Sequence, residues 1–296
     1  MPLTHTRTFR VRHYECDAYG HLNNATYLRY MQETAFDASA AAGFGLERYR
    51  ALGRLWVIHE TEIEYRRPLA YNDEVAVTTW VADFGRVRSR RLYEFRRAGT
   101  GDLAARAATD WAFLDARSGR PAPIPPELTA AFFPEGAPPP ARRDPFPAPP
   151  PPPPGVFRVR RRVEWRDVDA AGHVNNANYL AYVGEAGFDV CAAAGWTEAR
   201  MAAANLGILA RRHRLEYRRQ AVFGDELEIA TWAYALRPAS GMRHYAITRV
   251  ADGEPVARVN TQYVWVDRTT LRPIRIPAEF VHALAANTVA ESGGAT

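Results

Sequence analysis

Two stretches of this 296-residue chain concentrate side chains able to do acid–base chemistry. The first is Asp17-Ala18-Tyr19-Gly20-His21-Leu22-Asn23-Asn24, followed by Tyr27, Tyr30 and Glu33; the second is Asp169-Ala170-Ala171-Gly172-His173-Val174-Asn175-Asn176, followed by Tyr179, Tyr182 and Glu185. Each gathers a carboxylate, an imidazole and two amides within eight residues. An Asp in such a setting can act as general base on water or as a nucleophile. Helix-like spacing begins directly after each cluster, and a helix N-terminus offers N–H groups and a partial positive charge beside a developing oxyanion. Asp17, Asp169, His21, His173, Asn23 and Asn175 are therefore the candidate catalytic residues. Asn24, Asn176, Tyr27, Tyr179, Glu33 and Glu185 are the candidate substrate contacts. Blander readings exist for each: a loop-bracing Asp, turn-capping Asn, core Tyr, and a helical Glu paired on the surface.

The two clusters are copies. Aligned at an offset of 152, Asp17–Glu33 and Asp169–Glu185 share 11 of 17 residues. The same offset aligns Glu64-Tyr65-Arg66-Arg67 with Glu216-Tyr217-Arg218-Arg219, Asp73-Glu74 with Asp225-Glu226, Thr79-Trp80 with Thr231-Trp232, and Asp115 with Asp267. A gap-free match over about 110 residues marks a duplication. It also tests candidates: Cys16 adjoins Asp17, but its counterpart is Val168, so a duplicated mechanism cannot use a Cys nucleophile. Between the copies, residues 134–155 hold 12 of the 22 prolines, including the run Pro149–Pro154. Such a run favours polyproline II and reads as a semi-rigid spacer. The expected organisation is domain 1 at 1–133, linker at 134–155 and domain 2 at 156–296.

The elements that must position the clusters follow from periodicity. In the first copy, alternation predicts a strand over Thr6–Glu15, then a turn-rich loop. A helix is predicted over Ala25–Ala42, with Tyr27, Tyr30, Met31, Thr34, Ala35 and Ala38 on its inner face, Asn24 as N-cap and Gly43 as stop. A short helix at Leu46–Leu52 precedes four strands, Leu55–Arg67, Glu74–Phe84, Arg88–Arg97 and Leu103–Leu114, rich in β-branched and aromatic residues. One strand, one long helix and four more strands predict an α+β unit with an antiparallel sheet packed against the helix. In the second helix Gly184 and Gly187 predict a close approach by a neighbour.

Composition narrows the classes. At 47% hydrophobic and 24% charged the chain reads as globular rather than disordered. All 38 basic residues are Arg, so P-loop and Schiff-base Lys chemistry are excluded. The net charge of +5 is mild and scattered, giving no nucleic-acid face. Two Cys make neither a disulfide framework nor a zinc site. No apolar run approaches the roughly 18 residues of a membrane span, and no signal-peptide core is visible, so the expected compartment is cytoplasmic.

The loop D-x-x-G-H-x-N-N-x-x-Y with its downstream Glu, and the strand pattern Glu64-Tyr65-Arg66-Arg67-Pro68…Asp73-Glu74-Val75, resemble the 4-hydroxybenzoyl-CoA thioesterase-like branch of the hotdog-fold acyl thioesterases. The resemblance covers both copies and implies two tandem hotdog domains, each a long helix wrapped by a five-stranded antiparallel sheet, paired around active sites. It places the catalytic carboxylate at Asp17 and Asp169. It implies hydrolysis of a fatty or aromatic acyl-CoA without metal or other cofactor. Because related single hotdogs often form tetramers, a homodimer of the double unit is a further expectation. Arg88 and Arg90, in the basic run Arg86–Arg91, are expected to grip the phosphates of coenzyme A.

The tandem arrangement also resembles the acyl-ACP thioesterases, whose loop carries Asp, Asn and His. Here the Asn position holds Tyr19 in one copy and Ala171 in the other. Acyl-ACP hydrolysis is the first alternative, and a non-catalytic acyl-CoA-binding module the second. The hydratases and dehydratases of the same fold rank lower, since no His-Phe-Pro type loop is present.

Overall fold

In the computed structural model, which describes residues 1–289, each copy of the repeat builds the same five-stranded antiparallel sheet around one long helix. The chain divides into two compact units, Met1–Pro145 and Phe146–Thr296. In unit 1 the elements are β1 (Thr4–Arg10), α1 (Asn24–Ala41), α2 (Leu46–Ala51), β2 (Arg54–Tyr65), β3 (Glu74–Phe84), β4 (Arg88–Arg97), β5 (Leu103–Asp115) and α3 (Pro126–Phe132). Its sheet order is β1-β3-β4-β5-β2. Unit 2 runs β6 (Phe157–Arg162), α4 (Asn178–Ala193), α5 (Glu198–Ala203), β7 (Leu206–Tyr217), β8 (Glu226–Arg237), β9 (Ser240–Arg249), β10 (Pro255–Asp267) and α6 (Ala278–Ala283). Its sheet repeats the order as β6-β8-β9-β10-β7. These are two tandem hotdog domains of the α+β class.

Periodicity explains most of this. Strand β4 alternates core and outward side chains along its length, with Ser89, Arg91, Tyr93 and Phe95 inward. Helix α1 buries the predicted stripe Tyr27, Tyr30, Met31, Thr34, Ala35 and Ala38 and packs on β1 and β3. The Phe9 ring stacks on Tyr30 at 4.0 Å. Gly43, at φ +79°, ends the helix in the left-handed conformation that only Gly takes cheaply.

Two local expectations are corrected and one helix is added. Strand β1 stops at Arg10 rather than Glu15, because His13–Glu15 forms a short 3₁₀ turn that the Glu15 carboxylate closes on the Arg12 N–H at 2.8 Å. The N-cap of α1 is Asn23, one residue before the expected Asn24. Helix α3 was not anticipated; Pro at its first position and Glu127 in its first turn are the signals that mark it.

The Pro-rich segment is fastened along its length rather than standing off as a bare spacer. On the unit 1 side, Arg143 pairs with Asp83 at 2.5 Å and with Asp110 at 2.8 Å. On the unit 2 side, Phe146 is buried beneath the Arg258 guanidinium at 4.3 Å. The Pro147 carbonyl accepts from Asn260 at 3.0 Å and the Pro150 carbonyl from the Trp232 indole at 3.2 Å. Proline carbonyls remain acceptors although the ring removes the donor, which is why a polyproline strap can be held by side-chain N–H groups.

Two tests follow from this packing. An ideal Cβ on Gly187 would lie 2.9 Å from the Tyr245 hydroxyl, itself held by Tyr263 at 2.9 Å, whereas a Cβ on Gly184 meets nothing within 4 Å. Gly187 thus fits the predicted close approach and Gly184 does not. Gly184→Ala is expected to raise stability by up to about 1 kcal/mol through helix propensity. Gly187→Ala is expected to lower it, as read by denaturant unfolding of both variants.

Beside the strap, His244 is buried and its Nδ1 shares a 2.6 Å hydrogen bond with Asn260 Oδ1. Burial pushes its imidazole down from 6.5 to about 4. A base whose folded pKa is depressed gives stability that is full above the unfolded value and is lost as pH falls through the folded one. Unit 2 should therefore lose stability between about pH 6.5 and about pH 4, by up to about 1.4 kcal/mol per pH unit from this one group. Unfolding midpoints across that range should fall less steeply in His244→Gln than in the wild type.

Candidate active site

Each cluster folds into a small hairpin hung between the 3₁₀ turn and the long helix. Isolated antiparallel bridges Cys16–Leu22 and Val168–Val174 close the two hairpins. In unit 1 the Asp17 N–H donates to the His21 carbonyl at 2.7 Å and Gly20 N–H to the Asp17 carbonyl at 2.9 Å. Unit 2 repeats both bonds at Asp169, His173 and Gly172, at 3.0 and 2.9 Å. Gly20 and Gly172 sit at φ +77° and +82°, which the turn requires and a side chain would strain. The hairpins are pinned from outside as well: Leu22 N–H donates to the Leu69 carbonyl at 2.6 Å and Val174 N–H to that of Ala221 at 2.8 Å.

The carboxylates are half-buried and held by backbone. Asp17 Oδ1 accepts from the Tyr19 and His21 N–H groups at 2.9 and 3.1 Å. Among the described residues its Oδ2 has no hydrogen-bond partner. Asp169 Oδ1 accepts from Ala171 N–H at 2.9 Å, and its Oδ2 accepts from the Asn175 amide at 3.1 Å. The two sites thus share one anchored oxygen and differ at the other.

The structure separates the remaining candidates. Asn23 caps α1, accepting from Ala25 N–H at 2.9 Å, and Asn175 accepts from the N–H of Ala177, the residue before α4, at 3.0 Å. Asn175 alone also reaches its Asp. Asn24 and Asn176 present their carbonyls to the Tyr65 and Tyr217 hydroxyls at 3.4 and 3.2 Å. His21 and His173 lie half-buried beside their Asp, and His173 Nδ1 is 3.3 Å from the Val174 carbonyl.

Tyr27 and Tyr179 are core residues, edge-on to Tyr65 at 5.0 Å and to Tyr217 at 5.6 Å, and burial raises both phenol pKa values. Glu33 and Glu185 are not drawn to the hairpins; they are exposed and pair with Arg7 and Arg161 on the first strand of each unit. Arg90 is committed to Asp110 at 2.8 Å, within the network that also holds Arg143. Arg88 is exposed and makes no ion pair among the described residues. Cys16 and Cys191 are free thiols whose pKa values burial raises, the opposite of what a nucleophilic thiolate needs.

Sequence reasoning missed the brace behind the hairpin. Glu15 accepts from the Tyr30 hydroxyl at 2.7 Å, tying the 3₁₀ turn to the second turn of α1. A carboxylate recurs as Asp167 at the matching position, a signal the repeat alignment contained. It also missed two exposed aromatic pairs flanking the hairpins, His13 with Tyr71 at 5.8 Å and Trp165 with Phe223 at 5.5 Å.

A long helix in a five-stranded antiparallel wrap, with an Asp-bearing hairpin at the helix mouth, defines a hotdog-type site, here present twice. A family model described as "Thioesterase-like superfamily" matches residues 11–132 and again 163–284, and the chain belongs to that superfamily. Among curated relatives, a palmitoyl-acyl carrier protein thioesterase of Cuphea hookeriana is 28% identical over 61% of this chain and 46% of its own length. A protein of the same name from Arabidopsis thaliana is 25% identical over 90% of this chain and 65% of its own. This chain thus spans about half the length of the first of these relatives and about two thirds of the second. Among solved structures, a putative oleoyl thioesterase from Lactobacillus plantarum superposes at a TM-score of 0.75, with 19% identity, over 89% of this chain and 96% of that one. The 12:0-ACP thioesterase of Umbellularia californica gives 0.69, with 21% identity, over 88% and 93%. At these identities the superpositions carry the fold.

The cap geometry makes a separable prediction. Asn23→Ala should cost on the order of 1 kcal/mol in unfolding free energy, and Asn23→Ser should restore most of it. A cap-only role is measured by chemical denaturation, and an unaltered stability in Asn23→Ala would remove it.

Proposed function

We propose that the chain is an acyl thioester hydrolase in which Asp17 and Asp169 activate the attacking group. The observation that carries the reading is the Asp17 carboxylate: one oxygen fixed by two backbone N–H groups, the other uncommitted, in a half-buried hairpin at a helix N-terminus. Fixing Oδ1 restricts the rotation of the carboxylate and leaves Oδ2 without a partner among the described residues. Water bound there gives its proton to Oδ2 as its oxygen attacks the thioester carbonyl, or Oδ2 attacks directly and water later cleaves the resulting anhydride. In either course the C–S bond breaks, the thiolate leaves and takes up a proton, and the acid is released. A thiol with a pKa near 8.5 is a good leaving group, so little acid assistance is required. The positive end of α1 or α4 lies beside the hairpin and favours the charge that develops on the carbonyl oxygen. In this reading His21 and His173 orient water or the carbonyl, and Asn175 orients Asp169.

Coenzyme A is the carrier we favour, because the loop lacks the Asn of the acyl-ACP pattern, with Tyr19 and Ala171 in its place. The curated relatives favour a second reading, since their names specify acyl carrier protein. A single panel decides between them: thiol release from acyl-CoA and acyl-ACP esters of matched chain length, by wild type, each single Asp→Asn variant and the Asp17→Asn/Asp169→Asn double variant. The double variant should lose roughly 10²–10⁴ in kcat, the scale of a general-base contribution. Full activity in the double variant removes the carboxylates from the mechanism. Binding without turnover in the wild type would instead make this a binding module.

A further inference from the structure

Arg91 lies on the core face of β4 in unit 1, only 6% exposed, between Tyr93 on its own strand and the Phe132 ring of α3 at 5.3 Å. Its Nη1 is buried and has no hydrogen-bond partner among the described residues. A guanidinium has five donors, no acceptor capacity and no accessible neutral form, so a buried one without an acceptor is strongly disfavoured. The aromatic face of Phe132 compensates part of the charge and none of the N–H directionality.

The duplication supplies the control. Arg243 occupies the equivalent position on β9 and is as deeply buried. There the chain provides the acceptors itself: Arg243 Nη1 donates to Asn287 Oδ1 at 2.8 Å and lies 3.4 Å from the Thr231 hydroxyl. Asn287 is held in place by its own donations to the Gly155 and Thr231 carbonyls at 3.1 and 2.8 Å. The matching residue in unit 1 is Glu135, which is exposed and paired with the N-terminal ammonium. Phe132 and Phe133 take the places of Leu284 and Ala285, and the segment leaves without delivering an acceptor. One copy has closed its core guanidinium with its own chain, and the other has kept it open.

Position along the strand says what could close it. Phe95, on the same core face, packs against Tyr27 in the first turn of α1 at 5.2 Å, directly behind the Asp17 hairpin. Arg91 is four residues farther along β4, about 13 Å at strand spacing. Over its second half α1 buries only small side chains against the core, Thr34, Ala35 and Ala38. At that spacing, a chain that started at the hairpin and ran along β4 would bring its far end to the guanidinium.

We infer that unit 1 takes acyl thioesters whose far end carries a carboxylate, with Arg91 as the group that receives it. This deepens the thioester reading and rests on it for the acyl-carrier scaffold. A carboxylate is the acceptor whose geometry and charge match a guanidinium, two oxygens to two N–H groups.

The test uses the whole protein and thioether analogues of acyl-CoA, which have no ester to hydrolyse, so binding is read apart from turnover. Calorimetry compares ω-carboxyalkyl and plain alkyl analogues over a series of matched lengths. Wild type should prefer the ω-carboxy analogue by about tenfold or more at one favoured length. Arg91→Met, of similar reach and suited to apolar surroundings, should lose that preference while binding the plain analogue as well as before. Arg91→Lys should retain part of it, and Arg243→Met should leave it intact. Equal affinities for the two analogues in wild type would overturn the inference. So would an Arg91→Met variant that weakens both equally, or stabilisation of wild type by inorganic phosphate alone with no discrimination between analogues. Should no ester be turned over while the ω-carboxy preference persists, the hydrolase reading fails and the Arg91 site stands. Turnover of plain esters with no ω-carboxy preference gives the reverse.

Discussion

Everything proposed for the candidate site depends on how an Asp side chain and the backbone N–H groups of its own turn satisfy each other. A free hairpin of five residues at a helix mouth would expose several unpaired donors, and a free carboxylate would sample many rotamers. Closing Asp17 Oδ1 on Tyr19 and His21 meets both demands at once, and Asp169 repeats it with Ala171. The positive φ of Gly20 and Gly172 is the local condition for that closure. Helix α1 then begins at once, because Asn23 accepts one of its orphan N–H groups, whereas in unit 2 Asn175 closes on the Ala177 N–H just before α4. The proposed chemistry and the capping fall in one short segment because both satisfy unpaired backbone donors, Asp17 those of Tyr19 and His21 and Asn23 that of Ala25.

The surrounding architecture keeps that segment from moving. The hairpin is bonded to the stretch after β2 through Leu22 and Leu69, and to the 3₁₀ turn through Asn23 N–H and the Glu15 carbonyl at 2.9 Å. Glu15 in turn binds Tyr30, two turns into α1. The Tyr30 ring stacks on Phe9 of β1, so the path from carboxylate to sheet runs through packed aromatic surface rather than through loops. A reacting group on a loop is useful only when a rigid scaffold holds the loop, and here three ties do so, two of them inside Glu15–Tyr30 and the third reaching across to Leu69.

Local physics was legible in the sequence and long-range pairing was not. Alternation along β3 and β4 gave their bounds as the structure shows them, and the three- and four-residue spacing of α1 gave its buried face. The alternation of β1 misled because it continues through His13, where a side-chain cap turns the backbone away. Asp17 and Asp169 stood out through repetition, as did the hairpin glycines. Arg90 was read as free to bind phosphate because its partner Asp110 lies on the next strand, and Arg143, which shares that partner, comes from the Pro-rich segment. Glu33 and Tyr27 illustrate the same limit: helical spacing says which face a residue occupies, and only the fold says that Arg7 waits on one side and Tyr65 on the other. Phe146 was hidden by composition, since a single aromatic in a proline run carries no period, yet it is the side chain that beds the strap.

The duplication makes divergence readable as chemistry. Two copies under one scaffold constraint keep what the fold needs, the Asp turn and the core tyrosines at 93 and 245. They differ where a local acceptor can be exchanged. Tyr93 bonds Thr109 at 3.0 Å, whereas Tyr245 bonds Tyr263 at 2.9 Å, and helix α4 accommodates that second hydroxyl with Gly187 where α1 has Ala35. Arg243 has its Asn287, whereas Arg91 has an aromatic ring and no acceptor. In the first pair each copy completes its own hydrogen bonds, and the change is repacking. In the second only one copy does. Burial makes that asymmetry costly, so the open guanidinium distinguishes unit 1 from unit 2 more sharply than any difference between their Asp hairpins.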